Sequence, residues 1–190
     1  MKKFACLITI LATSLLLQSC SSIISATTAD PIENNEGERS TGSYFDDEII
    51  ETKALVNIDK ADPELAQSHI VVISYNRIVL LAGQVSSERL RQLAAETVAK
   101  IHNVRRVNNE ITVEGATSMV ARSNDSWITT KVKTKLLADS TIEGGRIKVT
   151  TENGVVYLMG LVTKEEADRA AESARKTGGV QKVVRIFEYF

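Results

Sequence analysis

Trp127, Lys131 and Lys135 recur at intervals of four residues, the spacing that stacks side chains on one face of a helix. Thr130 and Thr134 flank them. The neighbouring stripe, Ile128, Val132 and Leu136, is the apolar one and reads as the core side. An indole beside two ammonium groups suits a charged interface. The ring takes the boundary layer, and each lysine adds about 1 kcal/mol of attraction near an anionic surface. The same residues also read as a Trp packed at a helix start with solvated lysines. His69 and His102 have no Cys or acidic partner at ligand spacing, so surface histidine is the reading for both. Asp46-Asp47-Glu48 could do acid/base work, but acids at a helix start also stabilise the positive end of its dipole. No G-x-S-x-G, P-loop or G-x-G-x-x-G occurs in the chain. No enzyme activity, cofactor or metal is expected.

Cys20 carries a different chemistry. Met1-Lys2-Lys3 is a positive start, and the uncharged stretch from Phe4 to Leu17 is too short to span a bilayer. It suits the apolar region of a secretory leader. The leader ends in Leu17-Gln18-Ser19-Cys20, which resembles a bacterial lipobox, with Gln18 larger than the usual small residue. By that resemblance Cys20 becomes the first mature residue and carries acyl chains. At about 0.8 kcal/mol per buried CH₂ they make a lasting anchor. Ser21 follows where an Asp would resemble an inner-membrane retention signal, so the address reads as the outer membrane, facing the periplasm. Cys6 leaves with the leader, and no thiol remains for disulfide or nucleophile chemistry. From Ser21 to Ser43 the chain is rich in Ser, Thr, Asn and acids and is expected to be a flexible tether.

The rest of the chain repeats itself. Val79-Leu80-Leu81-Ala82-Gly83-Gln84-Val85 and Val156-Tyr157-Leu158-Met159-Gly160-Leu161-Val162 both read V-x-L-x-G-x-V. Val104 to Val107 and Val180 to Val183 both read V-x-[K/R]-V, and Ile50, Ala54 and Ile58 stand opposite Ile128, Val132 and Leu136. Each unit reads as helix, hairpin, helix, strand. In the second unit the first helix follows Asn124-Asp125, good cap residues, and Asn153-Gly154 is a strong hairpin turn. Asn76-Arg77 predicts a looser turn in the first. The spacing predicts a leader over 1–19, an acylated cysteine and tether over 20–43, and a first unit over 44–114. A linker over 115–123 and a second unit over 124–190 complete the chain.

This order, with the V-x-L-x-G-x-V strand and the V-x-x-V before the last strand, resembles the BON domain family. Two such units behind a lipobox resemble the dual-BON outer-membrane lipoproteins. The resemblance implies an α+β fold, each unit α-β-β-α-β with a three-stranded sheet and two helices on one face. It further implies a module that binds anionic phospholipid, phosphatidylglycerol-like, and a role in outer-membrane integrity and at the division site. An adaptor role in envelope assembly, such as outer-membrane protein insertion, is the alternative.

Charge separates the units. Residues 44–114 hold 11 acids against 8 bases, whereas residues 122–190 hold 9 against 12. The near-neutral total therefore conceals a basic second unit, and lipid contact is assigned to Trp127, Thr130, Lys131, Thr134 and Lys135. With net charge −1 and aromatics at 5%, no nucleic-acid partner is expected. Several strands are apolar on both faces, Ile70 to Ile73, Ile78 to Ala82 and Val155 to Met159 among them. A sheet covered on one side only should alternate, so the units are expected to pack sheet against sheet through Val72, Tyr75, Ala82, Thr150 and Gly160. The recurrence of Gly83 and Gly160 reads as close backbone packing. Replacing Cys20 by Ala should leave a precursor that membrane fractionation finds outside the outer membrane. Its recovery in the outer-membrane fraction would exclude acylation as the anchor.

Overall fold

The computed structural model describes residues 37, 39–115 and 117–190. The leader, Cys20 and most of the tether lie outside those residues. Each unit opens with a helix capped by a serine hydroxyl. Ahead of α1 (Thr41–Ala61), Ser40 accepts from the Ser43 N–H at 3.1 Å. Ahead of the first helix of the second unit (Met119–Ala138), Ser118 accepts from the Ala121 N–H at 3.2 Å. Both helices start upstream of the expected boundaries, because these serines satisfy the first free amides. Residues 119–123 of the expected linker are therefore helical, and Asn124-Asp125 lies inside the helix.

After α1 come β1 (His69–Tyr75), β2 (Ile78–Val85), α2 (Glu88–Ala99) and β3 (Arg106–Val113). The second unit repeats the order with α3 (Met119–Ala138), β4 (Ile147–Glu152), β5 (Val155–Val162), α4 (Lys164–Arg175) and β6 (Lys182–Tyr189). In both sheets the second hairpin strand is central, antiparallel to the strand before it and parallel to the last. A helix must lie between the parallel strands to make that crossover, and α2 and α4 do so. The α4 start is a reciprocal capping box between Thr163 and Glu166. Its buried positions are Ala167, Ala170, Ala171 and Ala174, small enough for the helix to lie close on the sheet.

Two buried carboxylates tie the first helices to the hairpins. Asp47 is 3% exposed and Asp125 4%. Asp47 accepts from the backbone N–H groups of Asn76 (2.8 Å) and Arg77 (2.7 Å) and from the Ser74 hydroxyl (2.7 Å). Asp125 accepts from the N–H groups of Asn153 (2.8 Å) and Gly154 (2.9 Å). All four turn residues have positive φ: 49° at Asn76, 64° at Arg77, 48° at Asn153 and 74° at Gly154. Positive φ at both central positions is the requirement of a type I′ turn. The first hairpin is thus as tight as the second, contrary to the looser turn expected from Asn76-Arg77. The charge-assisted bonds that Asp47 accepts from the Asn76 and Arg77 amides offset the left-handed strain of the turn.

The strands sort their residues by parity. All eight residues of β2 are buried, but in two different cores. Val79, Leu81 and Val85 join Ile50, Ala54, Ile58, Leu90 and Val98 beneath the first unit's helices. Ile78, Leu80 and Ala82 face the other way and cluster with Tyr75, Tyr157, Met159 and Ile186. That third core is the seam between the two sheets, so the helices lie on the outer faces. Polar links ring it. The Tyr75 hydroxyl donates to the Arg146 carbonyl at 2.8 Å, Asn76 donates to Glu188 at 2.6 Å, and Lys148 pairs with Glu51 at 2.7 Å. At the other end Glu152 accepts from the Gln84 amide at 2.9 Å and lies 3.3 Å from His69.

The expected seam residues divide. Tyr75 and Ala82 lie in the seam cluster, and Thr150 lines a cleft with Val71 and Ile73 of β1. Val72 and Gly160 need correction. Val72 points into the first unit's own core, one residue out of phase with the seam. A Cβ on Gly160 would lie 2.9 Å from the Arg146 carbonyl oxygen, so the glycine serves close approach to the neighbouring strand. Gly83 is tighter still. Its φ is +128°, and a Cβ there would lie 2.0 Å from the His69 carbonyl oxygen.

The chain ahead of α1 docks at the seam. The Arg39 guanidinium bonds Asp47 at 2.7 Å and stacks 4.0 Å above the Tyr75 ring. Gly37 lies so close to the second unit that a Cβ would come 2.6 Å from the Phe190 ring.

Two predictions follow from these contacts. Asp125→Ala should lower unfolding free energy by about 3 kcal/mol, since it leaves two turn amides without partners, and a urea midpoint measures it. Burial pushes the Tyr157 phenol up to about 12, with Glu110 and Glu152 adding to the effect, and burial also raises Tyr75. Unfolded phenols ionise near ~10. The seam's contribution is therefore complete below that pH and should decline as pH rises towards the folded value. Thermal unfolding from neutral to alkaline pH should show this decline, and Tyr157→Phe should reduce it.

Candidate functional site

The basic helix α3 crosses its own sheet with Ile128, Val132 and Leu136 turned inward. Trp127 stands on one flank, in the third turn of the helix because α3 begins at Met119. It is 62% exposed. Its ring belongs to none of the apolar cores among the described residues. Val120, two turns before it on the same side, is 81% exposed. Sequence reasoning placed Val120 in a linker and missed it. The signal was Ser118, a cap residue upstream of Asn124.

The lysines of this flank have a second occupation. Lys131 Nζ donates to the Gly178 carbonyl at 2.6 Å, and Lys135 Nζ donates to the Lys176 carbonyl at 3.3 Å. Both carbonyls follow the C-terminus of α4, where the helix dipole is negative and carbonyls lack helical partners. The lysines thus tie α3 to the end of α4. Each ammonium keeps further donors for an external anion. The hydroxyls of Thr130 and Thr134 donate back along the helix, to Ser126 O at 3.0 Å and Thr130 O at 2.9 Å. That leaves their oxygen lone pairs outward. The flank thus exposes an indole and a valine beside two ammonium groups.

The equivalent helix of the first unit presents a different face. Phe45, Ile49 and Val56 are exposed on α1, at spacings that put them in one row. Asp46 and Glu48 stand beside it. Asp47, the third acid of that cluster, is the buried turn anchor and not part of an acid/base pair. His69 sits at the seam against Glu152. Among the described residues no group of three or more His, Cys, Asp or Glu could hold a metal ion, and no helix is long and apolar enough to cross a membrane.

The internal repeat has a counterpart among known proteins. The model of the BON domain matches residues 46–115 and again 124–189. The chain belongs to the BON domain family. It carries two BON domains in tandem, and the α-β-β-α-β order appears in each. The outer membrane lipoprotein DolP of Haemophilus influenzae is 35% identical over 100% of this chain and 96% of its own length. A protein named 21 kDa hemolysin from Actinobacillus pleuropneumoniae is 38% identical, over 80% of this chain and 78% of its own. The osmotically-inducible protein Y of Escherichia coli K12 is 31% identical, over 75% of this chain and 72% of its own. These matches account for the repeat and the fold.

Opposite charge at Lys131 and Lys135 should cost stability, because both bond carbonyls at the end of α4. Lys131→Glu with Lys135→Glu should lower unfolding free energy by about 1 kcal/mol, the size of two dipole contacts. A urea titration of the double variant checks this. An unchanged midpoint would mean that the two bonds contribute nothing in solution.

Proposed function

We propose that this chain is a lipid-anchored protein of the outer membrane, facing the periplasm, that binds anionic phospholipid through α3 of its second BON domain. Through that contact it supports outer-membrane integrity, at the division site among others. The observation that carries the reading is Trp127, exposed on a rigid helix flank between Val120 and two lysines. An indole favours the headgroup boundary, and the lysines add attraction that depends on lipid charge. The likeness to a named outer membrane lipoprotein over the full chain supports the location, as does the lipobox-like segment before Cys20. The anchor supplies residence at the membrane, and α3 supplies preference for lipid type.

A second reading is an adaptor for envelope assembly, such as outer-membrane protein insertion. The exposed row Phe45, Ile49 and Val56 on α1 favours it, because an apolar row on an acidic helix suits a protein partner better than an anionic surface.

Vesicle co-sedimentation separates the two. The probe is the chain from residue 20 onward with Cys20→Ser, which keeps every described residue and cannot be acylated. It should bind phosphatidylglycerol-containing vesicles, bind phosphatidylcholine vesicles poorly, and release as salt rises past the point where the Debye length drops below ~8 Å. Trp127→Glu should weaken binding about tenfold or more, through loss of the buried ring and added repulsion. Equal binding to neutral and anionic vesicles, or no effect of Trp127→Glu in a folded protein, would favour the adaptor.

A further inference from the structure

The flank of α3 turned away from Trp127 faces the first unit across a cleft of about 580 Å³. Arg122, Ser126, Thr129 and Lys133 form its wall on α3, and Val71 and Ile73 of β1 form an apolar side. This size lies within the range of ligand clefts. Its carboxylates are already engaged: Asp125 holds the hairpin turn, and Glu152 lies between Gln84 and His69. Lys148, the remaining ammonium group, is paired with Glu51. Arg122 and Lys133 make no ion pair among the described residues. Both cations therefore face an open cleft whose own carboxylates are engaged, and Lys133 also borders the neighbouring hollow lined by Glu48.

The spacing of these cations says what they fit. Arg122 and Lys133 are eleven residues apart on one helix face, about 16 Å along the axis at 1.5 Å per residue. One small anion cannot touch both. An extended polypeptide covers that distance in about five residues. The strand beside the cleft also offers backbone partners. β1 is an edge strand, and the tight turn fixes which of its residues point outward. Ser74 does so, since its N–H donates to Glu51 at 2.7 Å and its carbonyl accepts from Lys148 at 3.3 Å. The backbone groups of Val72, two residues earlier, face off the edge in the same way by strand alternation, while its side chain stays in the first unit's core. Its outward N–H and C=O have no partner among the described residues. Glu51 and Lys148 occupy one end of the edge, and the unpartnered backbone groups of Val72, between the cleft residues Val71 and Ile73, are those that an added strand would use.

We propose that this cleft binds an acidic polypeptide segment in extended conformation. The segment pairs with β1 at Val72 and places carboxylates on Arg122 and Lys133. Every second residue of the segment faces the second unit, so on that face an acid, an apolar side chain over Val71 and Ile73, and a second acid follow one another. The site is separate from the Trp127 flank and does not rest on the lipid reading, so one protein can hold a membrane and a partner on opposite flanks of one helix.

The test is an NMR titration of the Cys20→Ser chain from residue 20 onward. The probes are a capped pentapeptide with glutamate at its first and fifth positions, valine at the third and threonine at the second and fourth, its counterpart with glutamine in place of glutamate, and inorganic phosphate. The acidic peptide should shift the amides of Val71, Val72, Ile73 and Thr129 and slow hydrogen exchange at Val72. The glutamine peptide should bind more weakly. Arg122→Glu with Lys133→Glu should weaken the acidic peptide roughly tenfold, as expected for two exposed charge contacts, and Arg122→Gln with Lys133→Gln should weaken it less. Trp127→Glu should leave it unchanged. The proposal is overturned if the acidic peptide leaves the β1 amides unmoved, or if the glutamine peptide binds equally well. It is likewise overturned if phosphate alone reproduces the shifts, or if the charge reversals reduce binding to phosphatidylglycerol vesicles and spare the peptide.

Discussion

A carboxylate buried under each hairpin turn is the contact on which the remaining architecture depends. Asp47 and Asp125 each hold both central amides of a two-residue turn. A turn of that length leaves one register for the hairpin, and a shift by one residue would exchange its two faces. The register sends Val79 and Leu81 towards the helices, and Leu80 and Ala82 towards the other sheet. Because the carboxylates sit on α1 and α3, they also fix each helix against its hairpin. Helix position, strand parity and the existence of a seam thus share one source in each unit. Burying a charge is costly unless it is fully hydrogen-bonded. Asp47 meets that condition with two amides, a hydroxyl and Arg39.

Much of this was legible in the residues, and the gaps have physical causes. The repeated V-x-L-x-G-x-V strands and the cap residues define the elements. Apolar residues on both strand faces require a second covering layer. Which face meets which layer is harder to read, because a strand apolar on both sides has no polar phase to mark its parity. Val72 and Gly160 were placed on the wrong side for that reason. Asp125 reads as a helix cap because an Asp ahead of an apolar stripe is the common cap pattern. Its partners are 28 and 29 residues away, beyond what local spacing can reveal. The partners of Lys131 and Lys135 are more distant still, 47 and 41 residues on. The exposure of Trp127 was legible, since it lies about 100° around the helix from Ile128.

The two BON domains use the same scaffold for opposite surfaces. The inner stripes, Ile50, Ala54 and Ile58 against Ile128, Val132 and Leu136, are interchangeable in kind. The outward rows differ in sign. One is apolar with acids, and the other is an indole with lysines. Duplication let the cores stay fixed while the exposed flanks diverged, and the seam keeps both flanks on one body. On α3 the divergence extends around the helix. Lys131 and Lys135 turn towards α4, and Arg122 and Lys133 turn towards the first unit.

The docking of Gly37 and Arg39 has a mechanical consequence. Gly37 packs against Phe190 of the second unit, and Arg39 is held by Asp47 and Tyr75 of the first. A pull arriving along the N-terminal chain is therefore delivered at the junction of the two units, not at the free end of a helix. It meets an ion pair and a stacked ring loaded together before the first turn of α1 can unwind. Resistance at that point is shared between the two sheets.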